Sequence, residues 1–426
     1  MQIYRGCDPL LQDKFSNGYT TASMNQFEVI IIGGGIVGAT TACALALEGV
    51  DVALVEARAP SAAKPKTRAP RLFAITRASE RIFSSLGAWE AIAGQDVCAF
   101  TDMEVWDAGG SAVMHFDCAE LAEPCLGYIV EPRIIHSALM SRLDALERIT
   151  LFCPNRFEDI RSSDSQAEVQ LDDGQVLTAA LVVAADGARS KLRAAMGIET
   201  QRLDYRQSSL VALVKTADPH LDTAWQRFLP GGPLAFLPMC DGWCSIVWTM
   251  PSSEVDRVLE LDKPAFHTEL AAAFDSRLGE IVDSGEREAY PLRRVHADHY
   301  VQSRLALVGD AAHAIHPLAG QGVNLGLLDA AALAEVLATA IKAGKDPGAL
   351  AVLRRYERWR RSDALLMMSA MDGLNRLFSN ADPTLGWVRN LGLSLVGHFG
   401  PGRHLLMRHA MGLGDDLPAR ARDDRS

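Results

Sequence analysis

The hydrophobic pattern of the chain becomes regular at residue 27. The stretch 27–32 is a nearly continuous run of apolar, mostly β-branched residues, which is typical of a buried parallel strand. A glycine cluster follows, and the small apolar residues of 36–48 predict a helix that ends at Gly49. A second strand is predicted at 51–55. Together these elements make a β-α-β unit of about 30 residues.

Beyond this unit, strands dominate the middle of the chain and helices its end. Strands are predicted within 100–114 and 208–250 and at 149–153, 157–161, 167–171, 176–184 and 304–308, and helices at 72–98, 132–147, 264–278 and within 322–413. Residues 1–23 are polar and aperiodic, which predicts an extension outside the fold. The segment 58–71 has five basic residues, three prolines and no acidic residue, which predicts an exposed loop.

Composition narrows the class of protein. With 426 residues, 48% hydrophobic and 22% charged, the chain is long enough for two or three globular domains. The net charge of −11 makes nucleic acid an unfavourable partner. The eight cysteines are scattered without a C-x-x-C pair, and we find neither a signal peptide nor a run of about 18 apolar residues. We therefore expect a reduced, cytoplasmic enzyme without a membrane-spanning helix.

The glycine cluster carries the first chemical signal. In Gly33-x-Gly35-x-x-Gly38, the first glycine permits a tight turn, the second lets the backbone approach a pyrophosphate, and the third allows close helix–strand packing. The following helix N-terminus offers free N–H groups to phosphates. Glu56, 23 residues after Gly33, is placed to accept hydrogen bonds from a ribose. The pattern predicts a dinucleotide site without distinguishing NAD from FAD.

A second signal directly follows the apolar strand 181–185. It is the string Asp186-Gly187-x-x-Ser190-x-x-Arg193. The string fits a nucleotide-contacting segment, and it fits equally well a turn followed by the start of a helix, because Asp-Gly turns are common.

The third signal spans 309–329. Asp310 follows a buried strand and a glycine, where it can accept hydrogen bonds from a polyol. The glycines of 320–322 and Asn324 would bring backbone N–H groups and a helix N-terminus to an electron-rich ring, which would stabilise a reduced flavin. His313 and His316 have a spacing that metal ligands can show, but the surrounding turn and glycines favour cofactor contacts. We therefore predict no metal site.

These strings resemble those of the class A flavoprotein monooxygenases, and more narrowly those of the ubiquinone-biosynthesis hydroxylases. The string 316–329 is close to that family's signature, and 127–139, 232–239, 245–251 and 356–367 are similar as well. Arg71 begins a string that reads R-A-[IF]-A-[LI] in the family, from which Leu72 departs. The resemblance covers roughly 26–413.

The resemblance implies the p-hydroxybenzoate hydroxylase-like fold. This is an α/β fold with a Rossmann-like FAD-binding domain, an inserted, mostly antiparallel β-sheet substrate domain and a helical C-terminal region. We expect the FAD-binding domain at 24–99, 125–200 and 295–375, the substrate domain at 100–124 and 201–294, and the helical region with a disordered tail at 376–426. The expected FAD contacts are Gly33, Gly35, Gly38, Glu56, Arg71, Arg133, Asp186, Asp310, Pro317, Gly320, Gln321, Gly322 and Asn324.

The resemblance also implies a reaction. NAD(P)H reduces the bound FAD, and the reduced flavin uses O₂ to hydroxylate an aromatic ring, here that of a polyprenyl phenol of ubiquinone biosynthesis. The protein orients the substrate and excludes water, and we predict no particular catalytic residue. The segments 228–238 and 245–251 are candidates for the pocket wall, although the core of a sheet is the more common place for Phe236 and Trp248.

Two alternatives stay open on the sequence alone. One is the hydroxylation of a small soluble phenol, and the other is a non-catalytic, isoprenoid-binding protein with the same fold. A tryptophan halogenase does not fit, because its W-x-W-x-I-P string is missing.

The implied substrate also bears on partners and location. Because a polyprenyl phenol is nearly insoluble, we expect peripheral contact with the inner face of a membrane or a complex with other ubiquinone-biosynthesis proteins. Residues 385–413 hold three arginines and three histidines but no acidic residue, and they are the candidate surface for this contact. The alternative is that this region packs on the FAD-binding domain.

Overall fold

The computed structural model describes residues 25–59, 68–109, 113–314, 322–378, 408, 411–414 and 416–423. Its strands are β1 (Gln26–Ile32), β2 (Val52–Val55), β3 (Phe73–Thr76), β4 (Val97–Phe100), β5 (Asp102–Asp107), β6 (Val113–Asp117), β7 (Gly127–Val130), β8 (Ile149–Phe152), β9 (Phe157–Ser162), β10 (Ala167–Leu171), β11 (Val176–Ala184), β12 (Thr200–Thr216), β13 (Thr223–Leu229), β14 (Gly232–Pro238), β15 (Trp243–Pro251), β16 (Ile281–Ala297), β17 (Val301–Gln302), β18 (Leu305–Leu307) and β19 (His313–Ala314). Its α-helices are α1 (Ile36–Leu47), α2 (Arg77–Ser85), α3 (Trp89–Ala93), α4 (Pro132–Asp144), α5 (Lys191–Ala195), α6 (Ser252–Glu260), α7 (Lys263–Ala273), α8 (Gly322–Lys342) and α9 (Leu350–Phe378).

The first sheet contains the predicted β-α-β unit. Its strands lie in the order β17-β18-β11-β1-β2-β8, and β9 and β10 extend it beside β11. The central strands β18, β11, β1, β2 and β8 are parallel. Both faces of β1 are covered, because the apolar residues 29–32 are buried in one core with α1 and α8.

The second sheet has the order β19-β16-β12-β15-β14-β13-β5-β6 and is antiparallel apart from the β13–β5 pair. Helices α6 and α7 cover one of its faces. Beneath them the rings of Phe236 and Phe274 stack with centroids 3.8 Å apart. Its strands lie within 102–117, 200–297 and 313–314, which confirms the predicted α/β fold class with an inserted, mostly antiparallel sheet. The exact domain boundaries stay predictions.

The structure corrects two of the expected elements. The stretch predicted as helical at 72–98 begins and ends with strands, β3 and β4, which pair with β7 in a third sheet. Thr76 ends β3 and accepts a hydrogen bond from the Ser79 N–H, which starts α2. The sequence pattern also missed β16, whose 17 residues include charged side chains on the solvent side.

Within the described residues, one helix, Gly322–Lys342, has the length and apolar composition of a membrane span. The absence of such a segment was expected from the sequence. Of this stretch, 83% is buried inside the protein, where it packs on α1 and carries the buried Asp329. These properties are those of the core helix of a folded domain.

Candidate functional site

The predicted motif residues meet at one edge of the parallel sheet. Gly33 follows β1, Glu56 follows β2, Asp186 follows β11, and Asp310 lies just after β18. Backbone hydrogen bonds hold these strand ends together: Gly33 N–H to Val55 at 2.8 Å, Ala185 N–H to Ile32 at 2.8 Å, and Val308 N–H to Ala184 at 3.0 Å. The carboxyl ends of parallel strands are where α/β proteins bind their ligands.

The three motif glycines are required for different reasons. Gly33 has φ +108°, and a Cβ there would lie 2.4 Å from the Ala185 carbonyl oxygen. A Cβ on Gly38 would lie 1.9 Å from the Gly33 oxygen. A Cβ on Gly35, in contrast, would meet nothing within 4 Å. The packing of the chain therefore demands Gly33 and Gly38, whereas Gly35 leaves open space at the N-terminus of α1, where a phosphate can bind.

Glu56 is fixed against the glycine loop. Its Oε2 accepts a hydrogen bond from the Gly34 N–H at 2.7 Å, and its Oε1 accepts one from the Arg58 N–H at 2.9 Å. His136 of α4 lies 2.9 Å from the Gly34 carbonyl oxygen through Nε2, a contact that sequence reasoning missed. A carboxylate has about four lone-pair sites, so Glu56 retains acceptor capacity for a ribose hydroxyl.

Asp310 lies in a tight turn beside a cation. The turn begins at Gly309, which has φ +57°. Solvent reaches the Asp310 side chain, but protein surrounds most of it. The partial loss of hydration raises the pKa of this carboxyl group, while His313 and Arg71 act in the opposite direction. Arg71 lies over the rings of Phe73 and Tyr290, 5.6 and 5.3 Å from their centroids. A carboxylate and a guanidinium are thus available at the same site.

The Asp186 side chain starts a helix. Its Oδ2 accepts hydrogen bonds from the N–H groups of Lys191 and Leu192 at 2.8 and 3.3 Å. This contact fits one of the two interpretations that the sequence left open, a turn that leads into the start of a helix. Arg193 of α5 donates to the carbonyl oxygens of Ala311 at 2.7 Å and Ala188 at 2.9 Å, which ties this segment to the Asp310 turn.

Asn324 links two elements around the site. Its buried Oδ1 accepts hydrogen bonds from the Thr76 N–H at 3.1 Å and the Ser79 hydroxyl at 2.7 Å, and its Nδ2 donates to the Ala74 carbonyl at 2.8 Å. These bonds hold the first turn of α8 against β3. A Cβ on Gly322 would meet nothing within 4 Å. The predicted contacts Pro317, Gly320 and Gln321, together with His316, lie outside the described residues.

Arg133 lies near a cavity between the second and third sheets. It forms an ion pair with the buried Glu131, whose hydrogen bond raises the pKa of the guanidinium. Arg68 bridges Asp96, at 3.1 Å, and Asp241 across the rim. The cavity has a volume of about 180 Å³ and is lined by Arg68, Leu72, Asp96, Cys98, Ile129, Glu131, Met239, Cys240 and Asp241.

The histidine considered as a metal ligand has a different role. The buried His313 contacts Asp329 through Nε2 at 2.6 Å. In the described ranges, no group of three or more His, Cys, Asp and Glu side chains is arranged to hold a metal ion.

Phe236 and Trp248 belong to the core of the second sheet. Both pack beneath α6 and α7. Val247 directly precedes Trp248 on β15, so it lies on the opposite face of the sheet, where it is half-buried. Its partner on β14, Ala235, is half-buried on the same face. On that same face, the Ser245 hydroxyl donates to the Pro70 carbonyl at 3.0 Å, so it is turned towards the segment that contains Arg71.

The fold and the sheet edge define a dinucleotide-binding α/β protein, and comparison with known proteins defines its class. Residues 26–369 match the FAD binding domain family. In structure, the chain is similar to the p-nitrophenol 4-monooxygenase PnpA of Pseudomonas putida, with a TM-score of 0.74 and 22% identity, over 91% of this chain and 99% of that one. The open cradle at Gly35 and the carboxylates Glu56 and Asp310 fit FAD.

The sequence relatives are more specific. The chain is 41% identical to the ubiquinone hydroxylase UbiL of Rhodospirillum rubrum, over 95% of this chain and 94% of the relative. It is 38% identical to the 3-demethoxyubiquinol 3-hydroxylase of Escherichia coli, over 91% and 98%. The chain therefore belongs to the ubiquinone-biosynthesis hydroxylase family, within the FAD-dependent monooxygenases. The family resemblance seen in the sequence is confirmed.

Proposed function

We propose that this enzyme hydroxylates the aromatic ring of a polyprenyl phenol intermediate of ubiquinone biosynthesis, using NAD(P)H and O₂. The observation that supports this most is the convergence of the glycine loop, Glu56 and Asp310 at one sheet edge. The chain that shows this convergence is 41% identical to a ubiquinone hydroxylase and 38% identical to a 3-demethoxyubiquinol 3-hydroxylase.

Each part of the sheet edge has an expected task in holding FAD. The N–H groups at the start of α1 would bind the pyrophosphate beside Gly35, and Glu56 would accept the ribose hydroxyls of the adenosine. Asp310 would accept hydrogen bonds from hydroxyls of the ribityl chain, and Arg71 would balance the charge of this carboxylate. When bound, FAD would carry two electrons from NAD(P)H to O₂, so that one oxygen atom of O₂ enters the ring and the other leaves as water.

The cavity between the second and third sheets is our candidate for the ring site. Its volume of about 180 Å³ suits one substituted aromatic ring, because an engineered protein cavity of about 150 Å³ takes up benzene. Leu72, Ile129 and Met239 give it apolar surface, and Arg68 and Glu131 offer hydrogen-bonding groups to phenolic hydroxyls. The protein would thereby orient the ring and exclude water.

The activity can be tested with ¹⁸O₂. Purified enzyme loaded with FAD is incubated with NADH or NADPH and a short-chain prenyl phenol, and the product is analysed by mass spectrometry. We expect one ¹⁸O atom in the ring. Turnover of simple phenols alone would favour the soluble-phenol alternative. A protein that binds no flavin would favour the non-catalytic one.

The ring site has its own test. Met239→Trp fills the cavity, so we expect NAD(P)H oxidation that yields H₂O₂ in place of hydroxylated product, with unchanged FAD content. Leu221→Trp, at a surface position that is 70% exposed, is the matched control. Unchanged product formation by Met239→Trp would place the ring elsewhere.

The carbon atom of the ring that is hydroxylated is identified by profiling quinone intermediates after deletion of the gene.

We further propose that residues 385–413 mediate contact with a membrane or a partner protein. Most of this segment lies outside the described residues, and the proposal is supported by its composition alone. Arg403→Glu with Arg408→Glu should reduce co-sedimentation with anionic liposomes, while turnover of a short-chain substrate stays unchanged. The double variant Arg161→Glu with Arg354→Glu makes the same charge change at exposed positions elsewhere. Equal co-sedimentation of both double variants would favour packing of the segment on the FAD-binding domain.

A further inference from the structure

Two buried, charged side chains hold the turn that contains Asp310, and they come from different helices. On one side, Asp329 of α8 accepts a hydrogen bond from the Gly309 N–H at 3.0 Å. On the other, Arg193 of α5 donates to the Ala311 carbonyl at 2.7 Å. Asp329 is 0% exposed and Arg193 3%. The backbone is therefore fixed immediately before and immediately after Asp310.

Asp329 is itself part of a buried ionic network. His313 contacts it through Nε2 at 2.6 Å, and Arg360 donates to it through Nε at 2.8 Å. Arg360 is 1% exposed and also pairs with Asp363 at 2.9 Å. Burial opposes ionisation of Asp329, but His313 and Arg360 outweigh it and hold the pKa of this carboxyl below its usual range. The network therefore contains an ionised carboxylate inside the core.

Stability alone does not account for such a network. Taking charges out of water is costly, and apolar residues of similar volume often replace buried ion pairs without loss of stability. The helix around Asp329 is otherwise apolar and packed on α1, so an apolar residue would suit this position. An apolar residue at this position, however, could neither accept a hydrogen bond from the Gly309 N–H nor orient His313, which lies next to the same turn.

We propose that Asp329 and Arg193 are positioning residues for FAD, which fix the backbone on both sides of Asp310 so that its carboxylate is already oriented for the ribityl hydroxyls. The inference rests on the proposed role of Asp310. A preorganised acceptor binds more tightly because no ordering is needed when the ligand arrives. Neither side chain has to touch FAD for this effect.

The test is FAD affinity of the folded apoprotein, measured by flavin fluorescence, for Asp329→Asn, Arg193→Met and Asp310→Ala. Thermal unfolding of each apoprotein is recorded in parallel. We expect all three variants to bind FAD more weakly, the two positioning variants by roughly ten- to a hundredfold, as is found when groups that orient metal ligands are removed. Bound flavin should also show a shifted absorption spectrum, because its surroundings are less ordered.

Asp346→Asn is the matched control. Asp346 likewise pairs with a buried arginine, Arg304 at 2.6 Å, and accepts a backbone N–H, that of Gly348 at 2.9 Å. It lies in the connection between α8 and α9. We expect this variant to lose thermal stability but to keep the FAD affinity and spectrum of the wild type.

The outcomes separate the two levels of the proposal. If Asp310→Ala binds FAD as tightly as the wild type, the proposed ribityl contact of Asp310 is wrong. If Asp310→Ala is impaired but Asp329→Asn and Arg193→Met bind FAD normally, the positioning role is overturned. Should Asp329→Asn fail to fold, the double variant Asp329→Leu with Arg360→Met removes both charges. A folded double variant with wild-type FAD affinity would equally overturn the inference.

Discussion

The parallel and the antiparallel sheet carry information about function in different ways. At the edge of the parallel sheet, four strands end next to one another, and each is followed by a glycine or an acidic residue. In the antiparallel sheet, strands of up to 17 residues alternate between a face under the helices and a face towards the site. We therefore expect cofactor binding to be concentrated in short motifs, whereas substrate binding would depend on which residues share a face of the sheet.

The largest effect should come from the glycine loop of the parallel sheet. Gly38→Val places a side chain against the Gly33 backbone, where an added Cβ already lies 1.9 Å from an oxygen. Because the Gly33 backbone cannot move aside as a flexible side chain could, we expect that the FAD-binding domain of this variant does not fold. A Cβ on Gly35 would meet no protein atom within 4 Å, so Gly35→Val should fold and lose FAD. Circular dichroism and flavin content distinguish the two. A folded Gly38→Val protein would contradict the packing argument.

In the antiparallel sheet we expect a similar contrast between a substitution that lowers stability and one that affects function, because the two residues lie on opposite faces. Phe236→Ala removes a ring that is 0% exposed, and a loss of about 3–5 kcal/mol in the free energy of unfolding is expected. Val247→Ala changes the opposite face and should cost roughly 1 kcal/mol or less, because Val247 is only half-buried. Val247→Ala should instead raise the fraction of NAD(P)H that yields H₂O₂. Urea unfolding and a peroxide assay measure the two effects. Equal destabilisation would remove the distinction between the faces.

The contrast also explains what could be predicted from the sequence. The glycine loop, Glu56 and Asp310 were found because β-α turns place them within a few residues of their strands. Strand β16 was missed because its pairing with β12, more than 60 residues earlier in the chain, decides its structure, and its exposed charges hide the alternation. Asp329 lay inside the recognised string, but only the fold shows that it binds the Gly309 N–H. A charged residue in an apolar helix was the available signal.

A third effect should appear at the junction of the two sheets, where His296 is buried at the end of β16. Burial, with Arg361 and other cations nearby, lowers the pKa of His296 to about 4, so the folded protein holds it neutral. The unfolded chain takes up this proton near pH 6.5. Stability should therefore fall as pH drops from about 6.5 towards 4, by at most roughly 3 kcal/mol, at about 1.4 kcal/mol per pH unit.

His296→Gln should flatten this part of the pH dependence, measured by urea unfolding between pH 4 and pH 7. His299→Gln, whose side chain is 70% exposed, is the control and should leave the curve unchanged. If the wild type and His296→Gln lose stability in parallel as the pH falls, His296 is not the group responsible. The junction would then not depend on the neutral form of this histidine.

The last effect, on cofactor affinity alone, separates the two ends of the cofactor at the parallel-sheet edge. Glu56→Ala removes a single hydrogen-bonding carboxylate, so FAD binding should weaken by the order of 1–3 kcal/mol, measured by titration of the apoprotein. The free energy of unfolding should change little, because the hydrogen bonds of the Glu56 carboxylate within the described residues are those from the backbone N–H groups of Gly34 and Arg58. Glu48→Ala, which removes ion pairs with Lys342 and Arg420 at the end of α1, should leave FAD affinity intact. Wild-type affinity in Glu56→Ala would mean that the motif carboxylate fixes the Gly34 loop without serving the adenosine, and that the edge binds FAD through its phosphate and ribityl contacts alone.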